Sequence, residues 1–137
     1  SHACVLRRCW ELCGDGKIFQ FGIRSGDREE FRWGKDHVCT HKFDVNGLEE
    51  RLEQLEDTPV YFTLDLDVLD PSVFPGTGTP EPGGVSFEEL RKAVTLACQK
   101  ANVVACDINE LSPPYDQSGV STMVACKVVR EMLLALR

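Results

Sequence analysis

The sequence has no excess of positive charge. Fifteen lysines and arginines face 22 aspartates and glutamates, for a net charge of −7 over 137 residues. That balance argues against a nucleic-acid backbone as partner and suits a cationic ligand. No apolar run approaches the ~18 residues of a membrane span, so no membrane partner is expected. No signal-peptide pattern opens the chain. Its seven cysteines, at positions 4, 9, 13, 39, 98, 106 and 126, include no CxxC pair. An odd, scattered set reads as small hydrophobes in a reduced, cytoplasmic chain rather than as a disulfide framework. No methionine precedes "SHACVLRR", which already reads as a helix. The expectation is a trimmed domain edge or the second part of a longer protein. There is no internal repeat and no low-complexity segment. The apolar content of 42% and charged content of 27% fit one globular domain or part of one.

The periodicities predict alternating strands and helices. Residues 3–12 place Val5, Leu6, Cys9 and Trp10 at helical spacing, with Gly14 as a stop. "KIFQFGI" (17–23) and "HVCTHKF" (37–43) read as strands, and "RSGDREEFRWGKD" between them reads as a polar loop with at most one helical turn. "NGLEERLEQLE" (46–56) is amphipathic, with Asn46 as a candidate cap. "PVYFTLDLD" (59–67) and "NVVACDINE" (102–110) read as strands. Between them Ser86 and Glu89 form a capping box for the helix "FEELRKAVTLACQKA", and a long C-terminal helix follows residue 118. This order predicts α/β architecture, three-layer α/β/α with a mainly parallel sheet covered on both faces. Ligands of such sheets gather at the carboxyl ends of the strands. Asp65 and Asp67 end one strand, and Asp107 and Glu110 end the next, so four acids are expected at one edge.

Asp65 and Asp67, two apart on an extended strand, share a face. Carboxylates that close repel unless one is protonated or a cation lies between them, and a divalent cation is the simplest compensation. Asp70, which precedes Pro71, fits a turn role instead. An EF-hand is excluded because Leu69 occupies the fifth loop position and Pro71 intrudes; a P-loop is excluded because no Gly-Lys-Ser/Thr follows "PGTGTP". "YFTLDLDVLD" also resembles the first motif of haloacid-dehalogenase-type phosphatases, in which Asp65 would be the nucleophile and Asp67 the acid/base.

With "TLDLDVLDP", "PGTGTPEPGG" and "ACDINELSPPYDQSGVST" in order, nearly the whole chain resembles the C-terminal half of the arginase–agmatinase (ureohydrolase) family. That family hydrolyses guanidino compounds to urea and an amine at a binuclear manganese centre. "PGTGTP" and "SPPYDQS" are more similar to its agmatinase branch. The resemblance implies an arginase-like fold, Mn2+ as cofactor and agmatine as substrate, hydrolysed to putrescine and urea. Guanidinobutyrate and arginine remain alternative substrates. It implies that Asp65 and Asp67 bridge the metals, that Glu110 receives the guanidinium with Thr79 beside it, and that His2 passes a proton to the leaving amine. It further implies a homo-oligomer, trimer or hexamer, for the full-length parent. The family's Gly-Gly-Asp-His and Asp-Ala-His-x-Asp motifs do not occur. Residues 1–137 are therefore expected to be the C-terminal portion of a single domain whose N-terminal half carries the other metal ligands. A second chain supplying that half is the alternative.

Three further features compete for a role. His37, Cys39 and His41 would share one strand face, a possible zinc set or merely polar edge residues. "RSGDREE" (24–30) reads either as a substrate or interface loop or as a solvated one. Trp10 and Trp33 read as packing residues.

Overall fold

The structure, a computed structural model, describes residues 2–55 and 57–136, with the backbone alone at His2. A single 3-10 turn (His2–Cys4) leads into α1 (Val5–Cys13). Then come β1 (Phe19–Ile23), α2 (Arg28–His37), β2 (Cys39–Lys42) and α3 (Leu48–Leu55). The second part contains β3 (Pro59–Asp65), α4 (Phe87–Lys100), β4 (Asn102–Asn109) and α5 (Val120–Ala135). β1 pairs with β2 and β3 with β4, both in parallel. Each pair is a strand-helix-strand crossover, as parallel pairing requires. Among the described residues the four strands form two separate two-stranded sheets rather than one.

Two elements differ from the reading of the sequence. The polar loop after β1 is a helix. Its start is fixed by the Asp27 carboxylate, which accepts from the backbone N–H groups of Glu29 (2.7 Å) and Glu30 (2.8 Å). Glu29 and Glu30 lie in its first turn and Lys35 and His37 in its last, both favourable to the helix dipole. The second difference lies in the acidic strand, which ends at Asp65. Leu66–Val68 is a 3-10 turn capped by the Asp65 side chain. The same-face argument for Asp65 and Asp67 therefore fails in detail, because only Asp65 belongs to the strand. The capping box of α4 forms as the sequence predicts, with Ser86 and Glu89 bonded reciprocally.

The main core gathers Leu64, Leu66, Leu69, Phe74, Val85, Leu90, Val94, Val128 and Met132. It lies between the β3–β4 pair, the loop after β3, and helices α4 and α5. α1 and α2 bury no residue. The runs "VYF" and "VVAC" predict strands covered on both faces, yet Tyr61 and Val104 are each 62% exposed.

Candidate active site

The turn after β3 alternates core and surface. Leu66 is fully buried and Leu69 nearly so, and together they seat the turn on the core. Asp65 and Asp67 flank Leu66. The Asp65 carboxylate accepts the Asp67 backbone N–H at 3.0 Å, and the Asp67 carboxylate accepts the Thr79 hydroxyl at 3.2 Å. Desolvation, then the negative charge of Asp67 and lastly that of Glu110, push the Asp65 carboxyl up to about 7, against the lowering effect of the Asp67 N–H. The residue as a whole keeps an exposed surface. The neighbouring like charges are thus the part of this shift that the geometry supports most directly.

The Pro-Gly loop is held over this turn from both ends. Asp70, read as a turn residue, is its anchor: its carboxylate accepts from Ser72 N–H (3.0 Å), Ser72 O–H (2.6 Å), Gly83 N–H (2.8 Å) and Gly84 N–H (3.2 Å). These donors hold the Asp70 carboxyl down at about 2. Gly84 passes so close to the chain that a Cβ there would lie 2.4 Å from the Asp70 nitrogen, so no other residue fits without moving backbone. At the other end the Gly76 N–H donates to Ser121 Oγ (2.8 Å), and the Gly76 carbonyl accepts from Ser112 N–H (2.7 Å). The Asp116 carboxylate, lowered by its donors on Ser118 and Ser121, braces the start of α5 beside it. Thr77 is buried in the loop, and its hydroxyl has no partner among the described residues.

β4 brings the third acid. Asn109 pairs in register with Asp65, and Glu110 follows it with a backbone φ of +68°. Of the four acids expected at this edge, Asp65, Asp67 and Glu110 are close enough to interact, whereas Asp107 is engaged elsewhere. Its carboxylate accepts from Tyr61 O–H, from Thr63 O–H (2.7 Å) and from the Asn109 amide (2.5 Å), and Tyr61 first among them lowers its pKa. Asp107 is two residues too early on the strand and belongs to a polar network on the exposed sheet face.

The zinc set does not assemble. His37 ends α2, stacks on Trp33 and bonds Asp15 (2.6 Å), while His41 bonds Asp44 (2.7 Å). Trp10 and Trp33 meet edge to face at 4.9 Å beneath the Arg7 guanidinium, a packing role. The His2 side chain lies outside the described residues. Among those residues no three His, Cys, Asp or Glu converge as a metal site. Sequence reasoning passed over Arg24. Its guanidinium donates to the Asp67 carbonyl (2.6 Å) and the Val68 carbonyl (2.9 Å), and Ser25 O–H donates to Glu81 in the Pro-Gly loop (2.5 Å). The "RSGDREE" segment is therefore tied to the site by its first two residues. Partners more than 40 residues away leave no local trace in a sequence.

An agmatinase from Bacillus anthracis is 47% identical over 98% of this chain and 47% of its own length. A guanidinobutyrase from Pseudomonas aeruginosa is 32% identical over 99% of this chain and 46% of that protein. A crystal structure from Clostridium difficile, provisionally named an agmatinase, is 49% identical and superposes with a TM-score of 0.95 over 99% of this chain and 50% of that one. The chain thus spans about half the length of the curated relatives it matches. The likeness carries the arginase-like α/β fold, with its parallel strands, over to the two crossovers described above. A profile of the Arginase family matches residues 1–135, a span that takes in the acidic turn, the Pro-Gly loop and the end of β4 alike, and the chain belongs to that family.

Proposed function

We propose that the chain is the C-terminal part of an agmatinase-type ureohydrolase, which hydrolyses agmatine to putrescine and urea in polyamine biosynthesis with manganese as cofactor. The observation that carries this reading is the meeting of Asp65, Asp67, Glu110 and Thr79 at the carboxyl ends of β3 and β4. The agmatinase relative, at 47% identity, supports the choice of substrate.

The acids fit a divalent metal in part. Asp65 and Asp67 are hard oxygen donors whose mutual repulsion a cation would relieve. Two carboxylates make an incomplete shell for two ions, which supports a division of ligands between this chain and the remainder of a protein of its relatives' length. When bound, the ions supply Lewis-acid activation of water at neutral pH. Asp65 and Asp67 would hold them. Glu110 would pair with the planar guanidinium and fix its carbon in place. Thr79 Oγ would accept from a guanidinium N–H, and its contact with Asp67 sets that oxygen's position. Expulsion of the amine requires a proton, which His2 would deliver in the role the resemblance gives it. The net charge of −7 suits a small cationic substrate. No described helix is long and apolar enough to cross a membrane. The full-length protein is proposed to be a cytoplasmic homo-oligomer, trimer or hexamer, without a nucleic-acid partner.

The test is urea release by the full-length parent, loaded with manganese, from agmatine, arginine and guanidinobutyrate. Agmatine is expected to be the best substrate. Turnover of guanidinobutyrate alone would keep the reaction and change the substrate, a reading that the guanidinobutyrase relative keeps open. No urea from any of the three would end the proposal. The haloacid-dehalogenase reading of Asp65 is set aside by membership of the Arginase family.

A further inference from the structure

We infer that Arg24 is the positioning residue of this site, setting the orientation of Asp67 through its backbone. The inference rests on the metal reading of Asp65 and Asp67 proposed above. A three-residue 3-10 turn fixes few of its own peptides. Its last i→i+3 bond runs from Leu69 N–H to the Leu66 carbonyl at 3.1 Å. The next two carbonyls, of Asp67 and Val68, are gripped by the two ends of one guanidinium, at 2.6 and 2.9 Å. A rigid planar fork on adjacent carbonyls fixes the two peptide planes on either side of the Val68 Cα, and the first of these adjoins the Asp67 Cα and so constrains the direction in which its side chain leaves the turn. Val68 O also accepts Val85 N–H at 3.0 Å, which ties the far end of the Pro-Gly loop to the same peptide.

The close approach of β1 to this turn is built into the chain. A Cβ at Gly22, where φ is +74°, would fall 2.4 Å from Val68 Cγ2, so the strand can come this near only at a glycine. One residue past the guanidinium, Ser25 fastens Glu81 of the loop that carries Thr79. "GIRS" thus braces both walls of the site while touching neither carboxylate. The Arg24 Nε is buried without a partner among the described residues, so the side chain is held by its two outer nitrogens alone.

Manganese titration of the metal-free, full-length parent tests this, with the melting temperature of each metal-free variant measured alongside. Loss of a residue that orients a metal ligand typically weakens affinity about 10- to 100-fold. Arg24→Met is expected to show a loss of that size. Arg24→Lys, which keeps the charge but cannot span two carbonyls, is expected to show a smaller loss with its metal-free melting temperature near wild type. Asp67→Asn serves as the control that abolishes tight binding. Wild-type affinity in both Arg24 variants, with Asp67→Asn impaired, overturns the inference and leaves the proposed function standing. A wild-type protein that takes up no manganese, or an Asp67→Asn variant that binds like wild type, overturns the metal reading itself. Where Arg24→Met does not fold, Arg24→Lys decides alone: weaker binding supports the inference and unchanged binding overturns it.

Discussion

Glu110 holds a left-handed backbone, φ +68°, where a residue with a Cβ is strained. Such strain persists where surrounding structure imposes it, and here β4 and the Ser112–Gly76 bond fix the chain on either side. The conformation turns Glu110 out of the strand's alternation at the point where β4 ends, beside Asp65. If its carboxylate receives the guanidinium, Glu110→Gln keeps the shape and removes the charge. We expect kcat/KM to fall by about 2 to 4 kcal/mol of transition-state stabilisation, with manganese content and melting temperature near wild type. Asp67→Asn should lose metal and activity together, because a neutral amide is a poor ligand. Steady-state kinetics with metal analysis separates the two, and full activity of Glu110→Gln on every guanidino substrate would remove the substrate role from this residue. Of these residues, the sequence exposes the acids, since charge at the end of an apolar run is a local anomaly. It does not expose Arg24, whose partners lie 43 and 44 residues away, nor the release of Asp107 to Tyr61 and Thr63. Both depend on which strands lie side by side.

At the scale of elements, α4 is legible because a capping box is a pattern of two residues at fixed spacing. α2 is hidden by its polarity: "REEFRWGKDH" has no apolar stripe and no buried residue, and its cap, Asp27, sits in a stretch that also reads as a turn. β3 reads two residues too long because Leu66 continues its alternation, although Leu66 and Asp67 belong to the 3-10 turn. The anchor of the Pro-Gly loop is a matter of hydrogen bonds. Asp70 has a folded pKa of about 2 against an ordinary 3.8, so its contribution to stability is fully present above pH 3.8 and is lost as pH falls through about 2. Asp70→Asn should therefore melt below wild type at neutral pH, and the gap should close on acidification across that window. Thermal melts of both proteins at a series of pH values check it. A constant gap down to pH 2 would mean that the carboxylate's charge plays no part in holding the loop.

For the whole molecule, the core and the bare surfaces divide the chain unevenly. The main core begins at Leu64, while Tyr61, Val104 and, on α5, Met123, Leu133 and Leu134 stay more than 60% exposed. Two-stranded sheets leave unpaired strand edges, and apolar edges invite association. These 137 residues expressed alone should associate, with an apparent size on gel filtration that rises with concentration. Co-expression with the rest of the parent should abolish the effect, and a monomer at every concentration would contradict it. The parallel pairing of β3 with β4 also has a consequence in time. Thr63 and Asp107, which lock the two strands together, are 44 residues apart along the chain. A ribosome adding about 5 to 20 residues per second completes that stretch in roughly two to nine seconds. Throughout that interval the nascent chain carries the aspartates of β3 without the glutamate that faces them. On the proposed reading, a chain whose synthesis has stopped short of Glu110 would lack the carboxylate that receives the guanidinium.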